Sequence, residues 1–188
     1  SADDTLRWCR DSLAVLPYGE LGCASLGFRL AGDEAALLEL DALALASKAP
    51  SELRSASVSL CRRFMRLRLS IAPSPALEHY QGLVAAGAAR GCYGLAVGLF
   101  LRDSGIPMGD GLTAFCGSLI SAAVTNAVKL IPLSHTEGQR LLAGLHGDMA
   151  KAVAVASVVQ PDELGLSGAG FDLFSMEHEI MYSRMYIS

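Results

Sequence analysis

Charge and aromatic rings are both scarce in this chain: 18% of its 188 residues are charged, 6% are aromatic, and there is a single tryptophan. So little charge excludes a disordered chain, and 52% hydrophobic residues is ample material for one sizeable core at one-domain length. Basic residues are outnumbered, 15 against 19, and the net charge of -4 argues against nucleic acid as the main partner. One local exception, Arg62, Arg63, Arg66 and Arg68, clusters on one expected helix. It reads first as a solvated face and second as a phosphate site.

The familiar signatures of chemistry are missing too. Cys9, Cys23, Cys61, Cys92 and Cys116 are odd in number, widely spaced and free of any C-x-x-C pair. That pattern excludes a disulfide framework and a zinc site, and points to buried free thiols in a reducing, cytoplasmic compartment. No signal-peptide pattern opens the chain, and Ser1 is not an initiator residue. There is no G-x-S-x-G and no cysteine in an evident basic pocket. Gly91-Cys92-Tyr93-Gly94 is not a phosphate loop, because no G-x-x-x-x-G-K-[ST] is present and no strand precedes it, so the chain is not itself a P-loop GTPase. Glu177, His178 and Glu179 are adjacent, point away from one another on a helix, and make no chelate. The expectation is therefore no catalytic, cofactor-binding or metal-ligating residue. The alternative is a helical enzyme or small-ligand binder with a pocket lined by Tyr80, Tyr93 and His135.

Alternating runs that would demand a strand are absent as well, and the punctuation is that of helices. Asp33 can cap a helix carrying Leu37, Leu38, Leu40, Leu43 and Leu45, stopped by Pro50. Ser51 opens a longer one through Leu53, Leu60, Phe64, Leu67 and Ile71, ended by Pro73-Ser74-Pro75. From Leu77 to Leu101 the sequence is rich in Ala and Gly, which predicts a pair of tightly packed core helices. Ser104-Gly105-Ile106-Pro107 breaks the chain, and the next helix runs to Ile131, where Pro132 ends it. On it Phe115, Leu119, Ala122, Asn126 and Leu130 share one face, so Asn126 is expected to be buried and bonded to a neighbouring element. Ser134-His135-Thr136-Glu137 is a capping box, Ser134 accepting from the Glu137 amide and Glu137 reaching back. A further helix is expected from Asp148 to Val159, then a loop from Pro161 to Gly170, then a last helix capped by Asp172 with Leu173, Met176 and Ile180 on one side and Tyr182 and Tyr186 on another. The architecture expected is all-α, a single-domain bundle of about eight to ten helices over residues 1–188.

Mean hydropathy is +0.38, high for a soluble protein, and Gly111 to Val128 carries no charge. It holds Thr113, Ser118, Ser121, Thr125 and Asn126 and lacks an aromatic belt, so it reads as a helix buried in protein rather than in a membrane. The terminus, His178-Glu179-Ile180-Met181-Tyr182-Ser183-Arg184-Met185-Tyr186-Ile187-Ser188, has the composition of a contact surface. The plainer reading is a last helix folding back on its own domain.

Two segments resemble the urease accessory protein UreF family. One runs Tyr93-Gly94-Leu95-Ala96, Gly105-Ile106-Pro107, then Asn126 through Pro132, Ser134 and Glu137 to Gly138-Gln139-Arg140-Leu141-Leu142, similar to the family's G-I-P break and its helix ending in (K/R)LVPLGQTxGQRLL. The other is His178-Glu179 followed by Tyr182-Ser183-Arg184, close to HExQYSRLFxS. The family's early G-F-S-(Y/H)-S-x-G-L-E pattern is missing, and Tyr186-Ile187 replaces its final aromatic and basic pair. The resemblance implies an all-helical, non-enzymatic accessory protein that helps load nickel into the urease apoenzyme. It implies a homodimer that binds the UreD (UreH) scaffold and with it recruits the UreG GTPase. It also implies partner-binding roles for His178, Glu179, Tyr182, Ser183, Arg184 and Tyr186 on a docking helix or tail over residues 172–188. The Ala- and Gly-rich helices beside Asn126 are the candidate homodimer contact.

Overall fold

A computed structural model describes residues 1–166 and 169–181; Tyr182, Ser183, Arg184 and Tyr186 lie outside the described residues. The described residues contain helices and no strand: α1 (Ala2–Val15), α2 (Glu20–Leu30), α3 (Glu34–Ala46), α4 (Ser51–Leu69), α5 (Pro75–Ala85), α6 (Tyr93–Asp103), α7 (Met108–Leu130), α8 (His135–Gly144), α9 (His146–Ala156) and α10 (Ala169–Glu179). Short 3-10 turns at Leu16–Tyr18 and Pro161–Glu163 join the longer elements.

The spine is the α2–α6 pair, which separates two apolar cores and contributes to both. On one side Cys23, Leu26, Leu95 and Leu99 pack with Leu37 and Leu40 of α3 and Met65 of α4. On the other, Leu21, Ala24, Val97 and Leu101 pack with Leu13 of α1, Leu112 and Ile120 of α7, and Val153 of α9. Only the α6 half of the Ala- and Gly-rich region packs tightly, and its Gly94 and Gly98 meet α2; on α5 only Leu77 and Tyr80 are buried, and a Cβ at Gly82 would meet nothing within 4 Å. A Cβ on Gly94 would lie 2.4 Å from the Glu20 carbonyl oxygen, and one on Gly98 2.1 Å from that of Ala24. All five cysteines are free and buried, as their spacing suggested. Burial raises the thiols of Cys9 and Cys61 and pushes Cys116 up to about 11.

Several local signals hold. Asp33 accepts from the amide of Ala36 at 3.0 Å, and the box at α8 forms in both directions, Glu137 N to Ser134 Oγ at 3.2 Å and Ser134 N to Glu137 Oε2 at 2.7 Å. Gly105 takes φ +65° after α6, the left-handed step that ends a helix there. Pro132 follows the end of α7.

Other helices have no cap of their own and borrow one. Asp103 at the end of α6 accepts from the Ser74 hydroxyl and the Ala76 amide at the start of α5, at 2.5 and 2.9 Å. Glu20 accepts from the Gly94 amide at 2.7 Å and so closes the start of α6. Burial pulls Lys48 down, but the Glu20 carboxylate 3.1 Å away outweighs it and holds the ammonium above its ordinary value.

The structure departs from four expectations. Asn126 is exposed, because the stripe of α7 that meets the bundle is Leu112, Cys116, Ile120 and Val124; Asn126 lies about 200° around the helix from Val124. For the same reason only 33% of the most apolar window of α7 is buried, although this helix is long and apolar enough to cross a membrane by length and composition. On α4 the buried residues are Ser57, Cys61 and Met65, while Leu53, Leu60 and Leu67 face outward; the helix ends at Leu69, so Ile71 is exposed in the turn after it. Finally, α10 begins at Ala169, so Asp172 sits in its first turn rather than at its cap.

Candidate docking surface on the C-terminal helix

The last described helix is mounted with its polar side inward. One turn of rotation puts Phe171, Ser175, His178 and Glu179 on the side turned to the domain, and all are partly covered. Phe171 meets Trp8 of α1 edge to face, ring centres 6.0 Å apart. At the other end Glu179 accepts from the Glu52 amide at 2.9 Å, a third cap supplied from afar, since α4 starts after Pro50 without one. That backbone bond holds the Glu179 carboxylate below its usual range. His178 Nδ1 lies 2.8 Å from Glu52 Oε2.

The outward side is apolar. Leu173, Phe174 and Met176 of α10 and Ile180 just after it share that side, beside Glu177, with Phe174 74% and Ile180 85% exposed. An ordinary surface helix hides such a face and shows its charges, so this one is inverted. A contiguous apolar face rimmed by polar groups is the composition of a contact surface.

His178 and Glu179 are thus brought together, spent on anchoring α10 to α4. Leu173, Met176 and Ile180 share a side as the spacing indicated. Phe174 and Met181 were missed, although their i to i+7 spacing beside Leu173 and Ile180 was a visible signal. The alternative pocket does not assemble. Tyr80 is fully buried, its hydroxyl donating to Asp41 and accepting from the Cys92 amide; Tyr93 packs edge to face on Phe64 and Phe115; His135 is exposed on α8. Among the described residues no group of three or more His, Cys, Asp or Glu side chains is placed to hold a metal ion.

The model of the family described as UreF matches residues 1–146. The chain belongs to the UreF family. Urease accessory protein UreF of Arthrobacter sp. (strain FB24) is 35% identical over 163 residues, 87% of this chain and 72% of that protein. That of Paenarthrobacter aurescens (strain TC1) is 34% identical over 79% of this chain and 67% of its own length. That of Haemophilus influenzae (strain PittEE) is 33% identical over 81% and 65%. The UreF family is, by that name, one of accessory proteins rather than enzymes.

The UreF-like motifs now have physical roles. Gly94 lets α6 approach Glu20, Gly105 makes the left-handed step before α7, and Ser134 with Glu137 closes the start of α8. These motifs hold the scaffold. The family-model match stops at His146, so α10, with its outward apolar face, lies beyond it.

Proposed function

We propose that this UreF-family chain is a cytoplasmic urease accessory protein. With the UreD/UreH scaffold it recruits the UreG GTPase, so that nickel, as cargo, is loaded into apo-urease. Residues 172–188 are its docking element within one helical domain. The observation that carries the docking role is the inverted mounting of α10, whose apolar side is left for another polypeptide. Membership of the UreF family supports the rest. The rings and aliphatic chains of Phe174 and Ile180 would enter the scaffold interface, where a buried anchor contributes about 2 kcal/mol or more.

The double variant Phe174→Glu/Ile180→Glu tests this better than a deletion. Removing Glu177 to Ser188 also strips Glu179 from the start of α4. In cells making the urease accessory proteins, the variant should keep its helical circular dichroism and thermal midpoint while co-purifying with UreD/UreH at least about tenfold less. Undiminished co-purification would remove α10 from the docking role.

We further propose that the homodimer forms through the outer side of α7, beside Asn126, rather than through the Ala- and Gly-rich helices, of which α6 is buried in the core. Ala114, Ser118, Ala122 and Thr125 make a flat, exposed strip on a helix whose most apolar window is only 33% buried. Small side chains allow close approach of a second copy. Ala122→Arg should shift the mass measured by light scattering from two copies to one without unfolding the chain; an unchanged mass would place the contact elsewhere.

A further inference from the structure

Beyond its first turn, where α10 is anchored at Glu52, the outward side of α4 carries exposed leucines and arginines and differs in chemistry from both surfaces above. Leu53, Leu60 and Leu67 recur every seven residues and run as a stripe along the helix, 42%, 46% and 59% exposed, and Ile71 in the turn after it is 67% exposed. At 100° per residue, Arg63, Ser59, Arg66 and Arg62 follow in order around the helix beside that stripe, away from buried Ser57, Cys61 and Met65. Past Arg62 the surface drops into a cleft of about 610 Å³, with Ser55 and Ser59 on the α4 wall and Arg90 on the opposite one.

These arginines are not structural. Arg68 stacks over Phe100 at 4.4 Å, and Arg54 donates to the carbonyls of Lys48 and Ala49. By contrast, among the described residues Arg62, Arg63, Arg66 and Arg90 make no ion pair with a carboxylate. Uncompensated positive charge gathered on one face of a chain whose net charge is -4 calls for a negative partner.

We propose that the α4 face binds a helical segment of a partner protein that carries leucine-like residues along one stripe and Asp or Glu along its edge. The leucines would lie against Leu53, Leu60 and Leu67, and the carboxylates against Arg63, Arg66 and Arg62, where guanidinium and carboxylate pair in a bidentate fork. A free anion could use the arginines but leaves the leucine stripe unexplained. Single-stranded nucleic acid needs exposed rings to stack on. Phe64, the aromatic residue of α4, is instead packed among Tyr93 and Phe100. A second copy meeting this face by two-fold symmetry would bring arginine to arginine. The segment 182–188 has no acidic side chain and carries Arg184.

The test uses the full chain and a fluorescein-labelled helical peptide with Leu at seven-residue spacing flanked by Glu. A second peptide has Lys for Glu, and a single-stranded oligonucleotide is the third ligand. Fluorescence anisotropy should show saturable binding of the acidic peptide, weakened about tenfold between roughly 50 and 300 mM salt. Arg62→Glu/Arg66→Glu and, separately, Leu60→Asp should each weaken it at least about tenfold. Arg140→Glu, an exposed control on α8, should leave it unchanged. All these positions are exposed, and unaltered circular dichroism checks the fold. Four results would each overturn the proposal: no saturable binding of the acidic peptide, equal binding of the Lys peptide, tighter binding of the oligonucleotide, or indifference to either set of substitutions. Indifference to Leu60→Asp alone would reduce the face to a bare anion site.

Discussion

Adding one methyl group at Gly98 should cost this protein about 3 kcal/mol, at the top of the range for overpacking a core. The new Cβ would stand 2.1 Å from the Ala24 carbonyl oxygen and 2.8 Å from the Phe28 amide nitrogen. Both obstacles are backbone, so no side chain can turn aside; α2 and α6 must move apart by roughly an ångström to reach an ordinary carbon–oxygen contact. Because the α2–α6 pair belongs to both apolar cores, that separation loosens each of them. Gly98→Ala should therefore lower the thermal midpoint by about 6 to 12 °C for a chain of this size. Gly82→Ala supplies the opposite sign. A Cβ at Gly82, inside α5, meets nothing within 4 Å, so the substitution should gain about 0.5 to 1 kcal/mol from helix propensity and the restricted unfolded chain. Paired melts followed by circular dichroism decide it. Equal shifts at the two glycines would mean that the α2–α6 contact is slack.

That contrast marks where the sequence stops being legible. Gly82 and Gly98 sit in one Ala- and Gly-rich run, and nothing local says that one faces solvent and the other a carbonyl. Signals that close within a single turn were readable: the Asp33 cap, the Ser134 and Glu137 box, and the stop at Gly105-Ile106-Pro107 all depend on residues three or four apart. Which side of a helix faces inward depends on a partner far along the chain. On α4 the leucines have the spacing of a core face, yet Cys61 and Met65 are buried because α6, whose Tyr93 and Phe100 meet Phe64, packs on their side. Asn126 is exposed for the same reason, since Val124 and Ile120, rather than Leu130 and Ala122, are the core residues of α7.

The docking surface was half legible. The terminal segment stood out by composition, and the resemblance to UreF motifs gave it a role. Its polarity could not be read, since an amphipathic helix of the α10 pattern would ordinarily dock by its leucines. What reverses it is the borrowed cap: α4 has no side chain of its own to satisfy its first amides, and Glu179 does so only if the polar side of α10 turns inward.

One buried carboxylate should prove the costliest side chain to remove. Asp41 sits in the leucine face of α3 between Leu37 and Ala44 and is 2% exposed. Its oxygens accept from the amides of Arg90, Gly91 and Cys92 at 2.7, 3.0 and 3.0 Å, and from the Tyr80 hydroxyl at 2.5 Å. Three successive amides can converge on one carboxylate because Gly91 adopts φ +103°, a conformation closed to ordinary side chains. Asp41→Ala deletes both acceptor oxygens, leaving the Arg90 and Gly91 amides and the Tyr80 hydroxyl without their partner. At about 1 to 3 kcal/mol for each buried donor, the loss should reach about 4 kcal/mol or more, a large share of a typical folding free energy. Asp41→Asn should recover part of that loss, since its Oδ1 can still accept from Tyr80, Gly91 and Cys92 while its amide group turns a donor toward the Arg90 N–H alone. Tyr80→Phe should cost only about 1 to 2 kcal/mol, because Asp41 keeps its three amides. Denaturant unfolding of the two single variants and the Asp41→Ala/Tyr80→Phe double variant would measure the coupling between them. A loss below about 1 kcal/mol for Asp41→Ala would mean that packing, rather than this buried carboxylate, fixes the turn that starts α6.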